Sequence, residues 1–173
     1  MLETERLILQ DYREEDFDSY FKLRNEKKIW IYSSIEPSDD AKMIKNELLE
    51  RIAMMRGRKF TYGALFLRET GEYIGEAGVI SYHENEKRAV IGYNLLPEFW
   101  HKGYASEIIK SLISFLFEQN KFINIEAMTI QNNLYSCRLL EYTGFKKSHI
   151  IDNYTKINNQ LYPVCCYTYI RKA

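Results

Sequence analysis

Cysteine is scarce in this sequence of 173 residues: the three cysteines, at positions 137, 165 and 166, are odd in number and unevenly spaced. Such a set builds neither a disulfide framework nor a tetrahedral zinc site. The three histidines, His83, His101 and His149, also lack the spacing to acids or cysteines that metal ligation requires. We therefore expect reduced thiols and no metal ion.

No charge of one sign dominates, because 24 basic side chains balance 24 acidic ones. The chain as a whole thus has no electrostatic attraction to nucleic acid or to an anionic membrane. No apolar run approaches the length of about 18 residues that a membrane-spanning helix needs. The N-terminus, Met1 to Arg6, is acidic where a secretory signal is basic. The sequence predicts a cytoplasmic protein without membrane or nucleic-acid partners.

Proline and glycine are also sparse, with three and eight residues, and there is no Gly/Ser/Pro-rich linker, internal repeat or low-complexity tract. Hydrophobic residues make up 46% of the chain, which is enough for one sizeable core at this length. We expect a single domain over residues 1–173.

Hydrophobic periodicity divides the chain into strands and helices. Strands are predicted at residues 7–12, 61–67, 73–83, 88–95, 122–129, 146–151 and 164–171, and helices at residues 15–25, 38–56, 105–119 and 133–143. Antiparallel strands come first and a strand-helix-strand crossover follows, which makes the sheet mixed. The predicted class is α/β with α+β character, about seven strands flanked by about four helices.

One segment, LLPEFWHKGYASE over residues 95–107, connects a predicted strand to a strongly apolar helix. Pro97 ends the strand, and Gly103 lies where the helix begins. Unpaired amides at a helix N-terminus bind anions, and a glycine lets a phosphate approach the main chain closely. The alternative is that Gly103 only makes a tight turn. The segment matches neither a P-loop nor a Rossmann fingerprint.

The stretch PEFWHKGYASE resembles the pyrophosphate-binding loop of the GNAT acyltransferase superfamily, in its RimJ/RimL-like branch of ribosomal-protein N-terminal acetyltransferases. ETERLIL, over residues 3–9, is similar to the opening strand of that branch. INIEAMTIQNNLYSCRLLEYTGF, over residues 123–145, is similar to its strand-helix segment without gaps from Glu126 through Asn133, Ser136 and Gly144. The resemblance spans nearly the whole chain and is weakest between residues 30 and 61.

This resemblance implies a twisted mixed sheet whose fourth and fifth predicted strands splay apart, with acetyl-CoA in the gap. Main-chain amides around Gly103 would hold the CoA pyrophosphate, and the backbone of residues 91–95 would pair with the extended pantetheine arm. Lys102 would add a charge to a phosphate or be a solvated lysine, and Asn133 would contact the arm or only cap its helix. The expected cofactor-binding residues are Ile91, Tyr93, Leu95, His101, Lys102, Gly103, Tyr104, Ala105, Ser106 and Asn133.

Transfer also requires groups that move protons. The resemblance implies that Ser136 protonates the departing thiolate, with Tyr135 as its substitute. The glutamate that the family often shows, in a pattern like AEIGY, is replaced here by Val90. The remaining strand carboxylates are Glu126, which we expect to be catalytic, and Glu76, unless each is only an exposed sheet residue.

The function that the resemblance implies is acetyl-CoA-dependent N-acetyl transfer, directly to a primary amine. At pH 7 an α-amine is roughly 14% neutral and a lysine amine about 0.04%. The missing carboxylate at Val90 therefore favours a peptide or protein N-terminal α-amine as acceptor. The alternatives are a small amine (a polyamine, an aminoglycoside or an amino acid) and a CoA-binding sensor without transfer activity. Monomer and homodimer are both open.

Overall fold

The computed structural model of the chain describes residues 1–170. Its strands are Leu2–Glu3 (β1), Leu7–Gln10 (β2), Tyr62–Leu67 (β3), Tyr73–His83 (β4), Arg88–Leu95 (β5), Asn124–Ile130 (β6), Lys146–Ile157 (β7) and Gln160–Ile170 (β8). Its helices are Phe17–Asn25 (α1), Lys27–Trp30 (α2), Ala41–Met55 (α3), Tyr104–Ser114 (α4) and Leu134–Tyr142 (α5). None of the helices described is long and apolar enough to cross a membrane.

Contacts divide the chain into two compact units. The N-terminal unit comprises Met1–Ile31, Ile35–Gly78 and Tyr93–Tyr104, and the C-terminal unit comprises Tyr32–Ser34, Val79–Gly92 and the chain from Ala105 onwards. Strands β4 and β5 each contribute residues to both units. The single domain expected over residues 1–173 stays a prediction.

The N-terminal unit orders its strands β1-β2-β3-β4-β5, and β1 to β4 pair antiparallel. Side chains alternate between the two faces of a strand, so β2 buries every second residue. Helices α1 and α3 pack against each other. The core of this unit includes Leu7, Leu9, Tyr20, Leu23, Ile44, Leu48, Leu65 and Ile74.

The C-terminal unit orders its strands β4-β5-β6-β8-β7. β8 pairs antiparallel with both β6 and β7, whereas β5 and β6 run parallel, as a strand-helix-strand crossover requires. The described β5–β6 ladder covers Arg88–Val90 and Asn124–Glu126, the first three residues of each strand. Helix α4 buries Ile108, Ile109, Leu112 and Ile113.

The predicted class is confirmed, since the fold is mixed α/β. The short β1 and α2 are additional, and α4 ends at Ser114 in a π-helical turn over Phe115–Gln119. The last two strands are longer than predicted, because Asn158 and Asn159 adopt positive φ and close a tight hairpin. Their exposed outer halves lack the alternation that identifies a strand. The predicted end of the last strand, at residue 171, lies outside the described residues.

Candidate active site

The connection from β5 to α4 is a short turn that ends in a glycine of positive φ. Leu96 N donates to Ile74 O at 2.9 Å, and Trp100 Nε1 donates to Leu95 O at 2.7 Å. These bonds hold both ends of the turn over Pro97–Phe99. Gly103 has φ +82°, a conformation that favours glycine, and α4 begins at the next residue.

Arg6 lies beside this helix start, and sequence reasoning did not identify it. Its Nη1 donates to Lys102 O at 3.2 Å, and its guanidinium lies 4.6 Å from the centre of the Tyr104 ring. A Cβ placed on Gly103 would meet Arg6 Nη2 at 3.4 Å. A cation therefore stands next to the amides at the N-terminus of α4. Lys102 Nζ lies over the Phe99 ring instead, 5.4 Å from its centre.

A buried carboxylate occupies the middle of the N-terminal unit. Glu76 on β4 is 1% exposed, so the alternative of an exposed sheet residue is wrong for it. Its Oε2 forms an ion pair with Arg51 of α3 and accepts from Tyr12 OH at 3.2 Å. Its Oε1 accepts from Tyr62 OH at 3.1 Å and from Asn94 Nδ2 at 2.9 Å. We call these five residues the Glu76 network.

Aromatic rings surround the cation of this network. The Arg51 guanidinium carbon lies 5.3 Å from the ring centres of both Tyr20 and Tyr62 and 5.7 Å from that of Tyr12. Burial acts to lower the pKa of Arg51, but Glu76 and the tyrosines outweigh it and raise that pKa overall. Burial also raises the pKa of Tyr12 and Tyr62 well above the ordinary value, and Glu76 adds to the increase.

The second strand carboxylate, Glu126 on β6, is also engaged. Its Oε1 accepts from Asn124 Nδ2 at 3.2 Å, and its Oε2 lies 3.5 Å from Arg88 Nη1. Arg88 Nε lies 3.0 Å from Glu86 Oε2 as well. In the parallel ladder Glu126 is the direct partner of Val90. This carboxylate therefore lies next to the position where the family pattern often has its glutamate.

The start of α5 contains the remaining predicted residues. Asn133 is the N-cap, and its Oδ1 accepts from Ser136 N at 3.2 Å, so the expected capping role is confirmed. The cap uses only the oxygen of the Asn133 amide. Ser136 is half-buried, and Tyr135 is 71% exposed.

Comparison with known proteins identifies the family. The sequence profile of the acetyltransferase (GNAT) domain matches residues 6–146. The chain belongs to the GNAT acetyltransferase family. An uncharacterized N-acetyltransferase of Bacillus subtilis (strain 168), YoaA, is 28% identical over 171 residues, which are 99% of this chain and 97% of that relative.

Two solved structures are similar to this GNAT acetyltransferase in fold. Spermidine N-acetyltransferase from Vibrio cholerae, solved with CoA and spermine, superposes with a TM-score of 0.82 at 18% identity and covers 96% of both chains. RimL, a ribosomal L7/L12 α-N-protein acetyltransferase solved with CoA, has a TM-score of 0.82 at 15% identity, covering 96% of this chain and 95% of its own. The two acceptors differ, so the fold leaves the acceptor class open.

The acetyltransferase has three free cysteines, all buried. Burial raises the pKa of Cys165 and of Cys166, which favours the neutral thiol over the nucleophilic thiolate. Cys137 Sγ lies 3.9 Å from Gln131 O. Among residues 1–170, no group of three or more His, Cys, Asp or Glu is placed to hold a metal ion.

The predicted site residues are distributed over the two units. His101 to Tyr104 lie with Arg6 in the N-terminal unit, and Glu126, Asn133, Tyr135 and Ser136 lie in the C-terminal unit. Sequence reasoning missed the Glu76 network. One signal was available, because Arg51 follows Ile44 and Leu48 at helical spacing and so lies on the buried stripe of α3. A charge on that stripe needs a buried partner.

Proposed function

We propose that this protein transfers the acetyl group of acetyl-CoA directly to a primary amine, with the α-amine of a peptide or protein as its preferred acceptor. The family supplies the reaction class, and CoA is bound in both similar structures described above. The match of residues 123–145 to the RimJ/RimL-like pattern supports placement in that branch.

The helix start around Gly103 fits a pyrophosphate. Gly103 has no side chain, the position of its missing Cβ is 3.4 Å from Arg6 Nη2, and the dipole of α4 places partial positive charge at its N-terminus. We assign the CoA phosphates to the amides of His101 through Ser106, with Arg6 and Lys102 as nearby cations. The backbone of Ile91, Tyr93 and Leu95 would pair with the pantetheine arm, and the family resemblance implies that Asn133 contacts the arm as well.

The observation that carries the acceptor assignment is the engagement of both strand carboxylates. Every oxygen of Glu76 and Glu126 faces at least one donor, and each carboxylate is paired with an arginine. Protonation of a carboxylate that is paired with an arginine gives up that ion pair, so neither glutamate is a ready general base. The site therefore favours an acceptor that is already partly neutral. At pH 7 roughly 14% of an α-amine is neutral, against about 0.04% of a lysine side chain.

The chemistry then needs little beyond orientation, because a thioester is an activated acyl donor. The amine nitrogen forms a bond to the carbonyl carbon, and the carbon-sulfur bond breaks. The departing thiolate takes a proton from Ser136 Oγ, with Tyr135 OH as the substitute donor. The surplus proton of the amine passes through water to the oxygen that gave up its proton, so the hydroxyl is restored and the thiol and the amide are the products.

A direct comparison of acceptors tests this proposal. We would measure kcat/KM for thiol release from acetyl-CoA with two matched peptides, one with a free α-amine and no lysine, the other N-acetylated with a single lysine. We expect the free α-amine to be preferred by at least about tenfold near pH 7. A better rate with the lysine peptide, or with spermidine, would contradict the α-amine assignment and leave the transfer reaction standing.

A further inference from the structure

Asn94 is the member of the Glu76 network that lies in β5, the strand that we assign to the pantetheine arm. It stands in β5 between Tyr93 and Leu95, whose main chains we assign to the pantetheine arm. Its main chain lies close to β4. A Cβ built on Gly75 of β4 would be 2.1 Å from Asn94 O. The backbone of β5 at this point thus packs directly on β4.

The side-chain amide of Asn94 has a defined orientation. Its Nδ2 donates to Glu76 Oε1 at 2.9 Å and to Tyr62 OH at 3.3 Å. A carboxylate only accepts hydrogen bonds, so the amide nitrogen has to face Glu76 and the amide oxygen has to face away. Within residues 1–170, Asn94 Oδ1 accepts no hydrogen bond, although the residue is only half-buried. An oriented acceptor atom is therefore left available.

Glu76 itself cannot readily turn to another partner. It is 1% exposed, and Arg51, Tyr12 and Tyr62 donate to its oxygens from α3, the segment after β2 and β3. A buried carboxylate with this many donors is rigid, because losing any one of them leaves a polar atom unsatisfied. Its rigidity passes to the Asn94 amide through the 2.9 Å bond.

We propose that Asn94 orients the acceptor, with its Oδ1 accepting a hydrogen bond from the amine nitrogen, and that Glu76 is the positioning residue that keeps this oxygen directed at the amine. The inference rests on the proposed amine acetylation. An amide oxygen holds an N–H without removing its proton, so the nitrogen lone pair stays free to attack the thioester. This role suits an acceptor that arrives partly neutral and needs alignment more than deprotonation.

The test compares Asn94→Ala, Glu76→Gln and the double variant, with acetyl-CoA and an alanine-initial tetrapeptide amide as substrates. A misaligned nucleophile loses on the order of 10-fold to 100-fold in rate. We expect Asn94→Ala to reduce kcat/KM for the peptide by about that factor, with the KM for acetyl-CoA within about twofold of wild type. Glu76→Gln should show a similar loss, since a neutral glutamine no longer dictates which way the Asn94 amide faces.

The double variant separates positioning from an independent effect. Because Glu76 acts through Asn94, the double variant should be no slower than Asn94→Ala alone. The pH dependence of kcat/KM should keep its shape in all three. Asn120→Ala is the matched control. Asn120 lies in the turn after α4, and its Nδ2 donates to the main-chain oxygen of Phe115 at 3.0 Å, so this variant also loses one asparagine hydrogen bond. Its kinetics should stay at the wild-type level.

Several results would overturn the inference alone. One is an unchanged kcat/KM for the peptide in a folded Asn94→Ala protein. Another is a loss in the double variant equal to the two single losses combined. A third is a flattened acid limb in the pH profile of Glu76→Gln, which would make Glu76 the general base. Thermal melting establishes which variants are folded, and Asn94→Ala decides the question if Glu76→Gln unfolds. Absence of release with every amine for the wild type would instead overturn the proposed function, and this inference with it.

Discussion

At the scale of single residues, the main feature is an ion pair inside a shell of tyrosines. Arg51 and Glu76 satisfy each other, and removing one partner leaves a charge without compensation. We predict that Arg51→Met lowers the free energy of unfolding by about 3 to 5 kcal/mol. Urea denaturation measures this. Arg68→Met is the control, because its side chain is 54% exposed and its pair with Glu3 spans 3.9 Å, so it should cost under about 1 kcal/mol.

Ser136 carries the second prediction at this scale. If its hydroxyl protonates the thiolate, Ser136→Ala should lower kcat roughly 10-fold to 100-fold, less than the full effect of general acid catalysis because Tyr135 remains as the substitute donor. The thermal midpoint should hold, since the Asn133 cap bonds the main-chain nitrogen of Ser136 and not its side chain. Thiol release measures the effect. A rate equal to that of Ser114→Ala, an exposed serine in α4, would remove Ser136 from the mechanism.

Some residue roles were readable from the sequence and others were not. The Asn133 cap follows from a local rule, an asparagine directly before a helical run. The partners of Glu76 come from α3, β3, β5 and the segment after β2, so they meet only through tertiary packing. A single sequence holds no record of such pairings. The exposed or buried state of a strand carboxylate is decided by what packs above it.

At the scale of elements, β4 and β5 approach closely at Gly75. Its φ of +148° and the 2.1 Å from a virtual Cβ to Asn94 O leave no room for a side chain. We predict that Gly75→Ala lowers the free energy of unfolding by at least about 3 kcal/mol, from overpacking and backbone strain together. Gly71→Ala separates overpacking from backbone strain. At Gly71 φ is +71° and no atom lies within 4 Å of a built Cβ, so only backbone strain, about 1 kcal/mol, should destabilise this variant. Equal losses would contradict the close approach.

The helix start at α4 carries the other prediction at this scale. Arg6 places a cation beside the amides that we assign to the pyrophosphate. Arg6→Ala should raise the KM for acetyl-CoA about twofold to fivefold and leave kcat unchanged, because Arg6 is exposed and an exposed charge pair is worth up to about 1 kcal/mol. Arg13→Ala, at a side chain 64% exposed, is the matched control. An unchanged KM would place the phosphates elsewhere.

Element order was predictable because hydrophobic period separates strands from helices, and most boundaries of the inner strands agree with the structure. The β7–β8 hairpin was underestimated, since its outer half, from Asp152 to Leu161, is largely exposed and has no apolar alternation. The π-helical turn after Ser114 was not predictable, because no residue type marks an extra residue per turn.

At the scale of the whole molecule, buried tyrosines predict loss of stability in alkali. Burial raises the pKa of Tyr12, Tyr62 and Tyr73 in the folded protein, whereas in the unfolded chain these hydroxyls titrate near pH 10. The folded state therefore binds more protons above that pH, so stability present below about pH 10 falls as the pH rises.

Urea unfolding between about pH 8 and pH 11 checks this. The free energy of unfolding should fall less steeply with pH in Tyr62→Phe, which removes one of the three hydroxyls. Tyr142→Phe should leave the slope as it is, because that ring is 72% exposed. A stability that stays constant across this range, or a slope that Tyr62→Phe does not change, would contradict the buried state of these hydroxyls.

Transfer of an acetyl group to an α-amine is best tested by following both products of the reaction together. Thiol release from acetyl-CoA would be recorded with a lysine-containing peptide whose α-amine is free, and tandem mass spectrometry would locate the acetyl group. We predict one acetyl group per thiol, on the N-terminal nitrogen. Acetylation at the lysine side chain, or thiol release without any acetylated peptide, would rule out acetyl transfer to the α-amine.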